Sequence, residues 1–413
     1  MKNVLILTYA YYPIFHGGVP RVAAFCKYLQ NYGWNPILLA CDSREDKNNA
    51  KTNKSDTCKV VRIKTCEHKS KEYGVLRRRI WSLWKLLFHS FEDISMLDFE
   101  DKLLEEARNV CKTEKIDLIF ASSLPQCVHR VAYKLSKEFN IPWVADHRDL
   151  VGQDSVNLGK WAFLKKLDQK RVIRRDSKYD RSAAAISTVS QGLADLIYRR
   201  AGCKANVIPN GFDEEDFINI ARDAKNNKLT VVYTGSFFGD SNIDVFLHGI
   251  QGAIKENKAL KDKLEVDFYG PCCQQVLQII SQEKYHDMSD IIVCKGLVSH
   301  EEAVKAICNA DILYLISHPA KGIATGKIYE YFAAQRTILS VPGDGDITDE
   351  MLKACNAGFI ASSKEAVASK LLELFEQWSE QGKVAYNANE NEVNKYNRKM
   401  QTGELAKIFN GLC

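Results

Sequence analysis

Short apolar runs separated by longer amphipathic ones set the tightest limit on how this chain folds. The first half reads NVLILTYA, GVPRVAAFCKYLQNYG, NPILLACD, DLIFASS, PWVADH and AAISTVS. The short runs suit strands buried on both faces, and the longer stretches carry the periodicity of helices. Strands that alternate with helices form parallel βαβ units covered on both sides. At VIPNGFDEEDF, residues 207–217, the chain turns on Pro-Asn-Gly and becomes acidic. A second series follows, with LTVVYTGS, VFLHGIQGAIKE, LEVDFYGP, DIIVCKGLVS, HEEAVKAICNA, DILYLIS, TILSVP and EAVASKLLELFEQW. The pattern predicts an α/β protein with two doubly wound, Rossmann-like domains facing each other across a cleft. Their expected bounds are 1–208 and 209–388, with a helix in 389–413 packing back toward the first domain.

Composition narrows the function classes. The chain has 413 residues, too many for one core and suited to two. A net charge of +5 is mild for that length and gives no support for nucleic-acid binding. Thirteen cysteines without a CxxC pair or zinc spacing read as reduced thiols, which points to the cytoplasm. The opening MKNVLILTYAYYPIF reads as a first strand rather than a leader, and no apolar stretch approaches the ~20 residues of a membrane-spanning helix.

Doubly wound sheets bind ligands at the carboxyl ends of their strands, so the loops that follow strands hold the candidate site. After the first strand come Gly17 and Gly18 and then a helix near Pro20, a turn that lets backbone approach a phosphate or sugar. VADHRDLVG, residues 144–152, places Asp146, His147 and Arg148 after an apolar run. They can supply a base, a cation for an anionic substrate and an orienting group, with Asp146 as the candidate proton acceptor. In the second series, Gly235 with Ser236, and Gly296 with Leu297 and Val298, can offer backbone groups to a ring or a phosphate. In SHPAKGIATGKIYEYFAAQRTILSV, residues 317–341, Thr325 is a competent N-cap and Lys327 begins a short helix whose free N–H groups attract an anion. Lys321 adds a second cation, and Glu330 lies one turn into the helix.

These pieces, taken in order, resemble the retaining glycosyltransferases of the GT-B type, in the group that builds bacterial surface polysaccharides. The likeness is carried by YYPIFHGGVPRVAAFCKYLQNYGW, VADHRD, ISTVSQGLADLI, VIPNGFD, VVYTGS, DFYGP, GLVSHEEAVKAICNADILYLIS and GKIYEYFAAQRTILSV. It implies that Glu330 holds the ribose of a nucleotide-sugar donor, and that Thr325, Gly326 and Lys327 meet its diphosphate. It also implies that Leu297 and Val298 lie at the nucleobase and that Gly17 and Gly18 close from the first domain. The chain departs from the family twice: Gly322 stands where a second glutamate is common, and residues 236–250 hold no arginine or lysine. The resemblance implies transfer to an acceptor hydroxyl; a helix start with an adjacent lysine, and no DxD-like carboxylate pair with further metal partners in the second domain, predict that it needs no metal and no cofactor beyond the nucleotide-sugar itself. A nucleotide-sugar epimerase of the same architecture and a non-catalytic nucleotide-sugar or membrane-surface binding protein are the rival readings.

Two basic amphipathic stretches bear on the acceptor. Residues 75–91, VLRRRIWSLWKLLFHSF, set an apolar stripe beside Arg77, Arg78, Arg79 and Lys85, and residues 159–175, GKWAFLKKLDQKRVIRR, carry seven cations against Asp168. Both read as surfaces for anionic lipid headgroups, which suits a lipid-linked or oligosaccharide acceptor and a peripheral position on the inner face of the membrane.

Overall fold

A computed structural model describes residues 1–13, 17–42, 56–64, 96–150, 162–218, 220, 227–237, 243–317 and 324–413. The chain divides into two compact units, one of Met1–Pro209 with Arg398–Cys413 and one of Asn210–Asn397. The terminal helix Arg398–Asn410 thus belongs to the first unit, while residues 390–397 pack with the second.

The first unit is built on seven parallel strands: β1 (Lys2–Leu7), β2 (Trp34–Asp42), β3 (Lys59–Lys64), β4 (Leu118–Ser123), β5 (Trp143–His147), β6 (Ala185–Thr188) and β7 (Asn206–Val207). Their spatial order is β3-β2-β1-β4-β5-β6-β7. The order reverses between β1 and β4, which is the switch point of a doubly wound sheet. Side-chain alternation fills both faces. Val4, Ile6, Leu38, Phe120 and Val144 pack on the helix Val19–Tyr28 and on the terminal helix. Leu5, Leu7, Leu39, Ile119 and Ala145 pack on the helices Leu97–Thr113 and Cys127–Phe139. This is why the strands read as unbroken apolar runs.

The second unit repeats the plan with six parallel strands: β8 (Leu229–Thr234), β9 (Leu264–Tyr269), β10 (Ile292–Gly296), β11 (Ile312–Leu315), β12 (Thr337–Ser340) and β13 (Gly358–Ile360). They lie in the order β10-β9-β8-β11-β12-β13, with the switch point between β8 and β11. One face, with Val231, Tyr233, Val266 and Phe268, is covered by the helices Asp244–Glu256, Cys272–Ile280 and Lys364–Gln381. The other, with Val232, Leu313, Leu315 and Ile338, is covered by His300–Asn309, Lys327–Ala334 and Ile347–Cys355.

Residues 75–91 lie outside the described residues, so the first basic stretch is not seen. The second lies on the helix Ala162–Asp180, where Lys170, Arg171 and Arg174 are exposed and Val172 is buried. Among the described residues, no helix is long and apolar enough to cross a membrane.

The terminal helix seals one face of the first sheet. Phe409 is fully buried, with its ring 5.3 Å from that of Trp34 and 5.7 Å from that of Phe120. Phe409→Ala is expected to destabilise the first unit by about 3–5 kcal/mol, the usual cost of such a cavity. Urea unfolding followed by hydrogen exchange should show the loss in residues 1–209, with the second unit's protection unchanged.

Candidate functional site

In the second unit, three neighbouring strands end on glycines with positive φ: Gly235 (119°) after β8, Gly270 (101°) after β9 and Gly296 (76°) closing β10. Few side chains tolerate such backbone. The turns extend the sheet's own ladder, since Gly235 N donates to Tyr269 O (2.8 Å) and Gly270 N donates to Gly296 O (2.6 Å). A Cβ on Gly270 would stand 3.0 Å from the carbonyl oxygen of Gly235, so the turns are closely layered. The result is a rim of bare backbone at the carboxyl edge.

The helix Lys327–Ala334 meets that rim. A Cβ on Gly235 would lie 2.7 Å from Lys327 Cε, so the lysine stem rests on the glycine. Lys327 Nζ pairs with Glu330 Oε2 at 3.2 Å, and both side chains are about one-third exposed (30% and 32%). The expected cap differs: Gly326 occupies the N-cap position without a side-chain hydrogen bond, and the buried Thr325 Oγ1 has no partner among the described residues. The helix therefore starts without a side-chain acceptor on its first N–H groups, the arrangement that leaves them available to an anion. Ser236 is exposed and its carbonyl accepts from the Tyr233 hydroxyl at 2.8 Å. Leu297 is 80% exposed, and Val298 is half-buried before Ser299 caps the next helix. Lys321 and Gly322 lie outside the described residues. The structure thus gathers Gly235, Lys327, Thr325, Gly326 and Glu330.

In the first unit, Gly17 is exposed, Gly18 is buried and the helix Val19–Tyr28 starts directly after them. Asp146 is fully buried and saturated. Arg21 donates to both its oxygens (2.8 and 3.2 Å), and Ser122 and Ser187 donate at 2.8 Å each. Burial alone would raise its pKa, but the Arg21 charge and these donors outweigh burial and hold the carboxyl below its usual range. An anion so engaged serves as an anchor for Arg21, Ser122 and Ser187. Arg148 Nε donates to Ser123 O and Nη2 to Leu124 O (3.2 Å), and Nη1 fills the space that a Cβ on Gly18 would take. Burial pulls its pKa down, against the nearby charges of Asp146 and Asp149.

His147 is also buried, with Nε2 2.7 Å from Asp180 Oδ1 and its ring 4.6 Å from that of His129. His129 Nε2 contacts Ala121 O at 3.0 Å, so it carries the proton. His129, His147 and Asp180 bring ligand atoms within 4.8 Å of one another, and this is the one group among the described residues able to hold a metal ion. Its two hydrogen bonds, His129 to Ala121 O and His147 to Asp180, are separate, and the buried His147 Nδ1 has no partner among the described residues. The sequence reading passed over Arg21, whose partner lies 125 residues away, and Gly270. Gly270 did leave a signal, because YTG, FYG and CKG repeat one strand-end pattern.

No protein-family description matches this chain, and no curated protein sequence does. Solved structures match its fold along nearly its whole length. HepE of Anabaena, crystallised with UDP and glucose, is 14% identical with a TM-score of 0.58, over 98% of this chain and 99% of that one. Sucrose-phosphate synthase from Thermosynechococcus elongatus is 12% identical with a TM-score of 0.61, over 100% and 99%. WaaG, a glycosyltransferase involved in lipopolysaccharide biosynthesis, is 13% identical with a TM-score of 0.53, over 99% and 100%. The fold is that of the GT-B glycosyltransferases.

Burial lowers the pKa of His129 to about 3, helped by the neighbouring His147. The unfolded chain, with an ordinary histidine near 6.5, binds the extra proton first as pH falls. The stability gained from keeping His129 neutral is complete above about pH 6.5 and drains away as pH falls toward about 3, by at most about 1.4 kcal/mol per unit. Urea midpoints of the first unit at pH 7 and pH 5 should differ accordingly, and His129→Gln should flatten that difference.

Proposed function

We propose that this protein transfers a sugar from a nucleoside-diphosphate sugar to an acceptor hydroxyl. The observation that carries the reading is the rim of the second sheet, where backbone turns on Gly235, Gly270 and Gly296 meet an uncapped helix start bearing Lys327 and Glu330. A helix N-terminus and a lysine stabilise the charge that develops on a diphosphate leaving group. Only stabilisation that grows toward the transition state speeds the step. With donor bound, Lys327 exchanges Glu330 for phosphate oxygens, and the released carboxylate takes the ribose hydroxyls. The chain shares its fold with HepE, which has been crystallised with UDP-glucose, and this supports a nucleotide-sugar donor.

The finer reading is transfer with retention, in which the leaving phosphate takes the acceptor's proton. That path suits the saturated Asp146, since it needs no protein base. The acceptor is a lipid-linked saccharide or an oligosaccharide, met at an anionic membrane surface by residues 75–91 and 159–175. The same saturation of Asp146 favours one rival, a nucleotide-sugar binding protein without turnover. Product formation from UDP-glucose, with and without acceptor, separates them.

Lys327→Ala is expected to weaken UDP binding about tenfold or more while leaving uridine unchanged, because a cation at that place acts on the phosphates. Glu330→Gln should weaken UDP and uridine alike. Calorimetric titration checks both, and equal losses for uridine and UDP in Lys327→Ala would remove the phosphate assignment.

We further propose that leaving-group charge is met by the helix and the lysine without a metal ion. Transfer is therefore expected to persist in EDTA. An activity abolished by chelator and restored by Mg²⁺ or Mn²⁺ would show that a metal does this work.

A further inference from the structure

Doubly wound sheets gather their substrates at the carboxyl ends of the strands, so a pocket at the opposite edge is not explained by the donor rim. The second unit has such a pocket, and the described residues that line it all belong to Asn210–Asn397. Its cavity of about 360 Å³ falls within the roughly 300–1,000 Å³ of small-molecule sites. Segments that lead into strands wall it. Ala334, Gln335 and Arg336 stand directly before β12, and Cys308 lies near the end of the helix that leads to β11. Tyr386 and Ala388 come from a stretch tied to the same edge: Thr337, the first residue of β12, donates its hydroxyl to Ala385 O (2.8 Å), and Asn389 N donates to Cys355 O (2.7 Å) ahead of β13. The helix Lys327–Ala334 therefore starts at the donor rim and ends at this cavity.

Apolar and polar surfaces meet there. The buried Phe212 and the half-buried Phe217 supply aromatic wall. Arg336 is held in place by Cys308 O, to which Nε and Nη2 donate at 2.9 and 2.6 Å, and Glu214 Oε2 accepts from Asn397 Nδ2 at 2.7 Å. The exposed Glu390 and Gln335 also line the cavity, with Gln335 at φ 55°, a helix-end conformation that glycine or asparagine usually takes. The hydroxyl of Tyr386 is buried and has no partner among the described residues. A buried donor in that state calls for an acceptor that enters the cavity.

This mixture selects its ligand. An anion would meet Glu214 and Glu390, and a cation would meet Arg336. A sugar hydroxyl both donates and accepts, so a neutral polyol can accept from Tyr386 and Gln335 and donate to the carboxylates. The C–H face of a pyranose ring can then lie against the aromatic wall.

We propose that the second unit carries a binding site for a neutral saccharide at the amino edge of its sheet, separate from the donor rim. Only the source of the saccharide, an oligosaccharide of the kind the enzyme extends or a free sugar, depends on the glycosyl-transfer reading. Saturation-transfer NMR on the full chain tests the site, with glucose, galactose and N-acetylglucosamine as free sugars and maltose, cellobiose and lactose as short oligosaccharides. Excess UDP is added to occupy the donor rim. Tyr386→Phe removes the hydroxyl and keeps the ring, while Ala388→Trp fills the cavity.

At least one sugar is expected to bind the wild type in the presence of UDP, about three- to tenfold more weakly to Tyr386→Phe and not at all to Ala388→Trp. Tyr386→Phe should melt no lower than the wild type, because it loses a buried hydroxyl without a partner, so it carries the test even if Ala388→Trp fails to fold. Binding confined to the disaccharides assigns the site to an oligosaccharide, and equal binding of the monosaccharides assigns it to a free sugar. Protein that binds sugar through Tyr386 but binds no UDP keeps this site and removes the nucleotide-sugar reading. If no sugar binds the wild type, if excess UDP abolishes the signals, or if both variants bind as the wild type does, the proposal is overturned.

Discussion

The two oxygens of one buried carboxylate organise the ligand edge of the first unit. Asp146 stands at the end of a central strand and draws in Arg21 from the helix that follows the glycine turn. The same guanidinium holds the carbonyls of Ile208 (2.7 Å) and Pro209 (3.1 Å), where the chain leaves the unit. Such a pair has to recover the desolvation of both charges, which it does here by leaving neither oxygen of Asp146 without a donor. Its use is geometric. Helix start, strand end and exit segment share one junction, and Arg148 is set two residues along from it.

The second unit reaches a comparable edge by another route. Its rim is backbone, shaped by glycines that side chains would exclude, and charge enters through a single helix. Lys327 and Glu330 face each other one turn apart, each occupying the other while no substrate is present. A group that displaces this contact must bring an anion for the lysine and a hydroxyl for the carboxylate. A nucleoside diphosphate, the ligand proposed for this site, carries both.

How much of this could be read in the sequence depended on the distance over which each feature is decided. Strands and their alternation are local, so NVLILTYA and LTVVYTGS show buried strands without further help. The glycines at strand ends are local too, because a positive φ restricts the residue type at that position. The state of Asp146 is not local: its three side-chain partners come from Arg21, Ser122 and Ser187, on separate elements. The tetrad DHRD suggests reactive groups, and only the fold shows that Asp146 is fully engaged and that Arg148 is tied to the carbonyls of Ser123 and Leu124. The N-cap at Gly326 rather than Thr325 is a smaller case of the same kind. Thr325 has the chemistry of a cap, but it is turned into the interior, and burial there decides its role.

The terminal helix Arg398–Asn410 belongs to the unit built from the first 209 residues. During synthesis, the first unit's sheet emerges early, but the face packed on the helix Val19–Tyr28 is only partly covered until Leu405, Ala406 and Phe409 arrive. The second unit, from Asn210 to Asn397, has no such debt and is complete in sequence before the first. The unit that starts first is thereby completed last, whereas multidomain chains usually finish their N-terminal domain first. The first unit is thus exposed to misassembly until the whole of the second has been made.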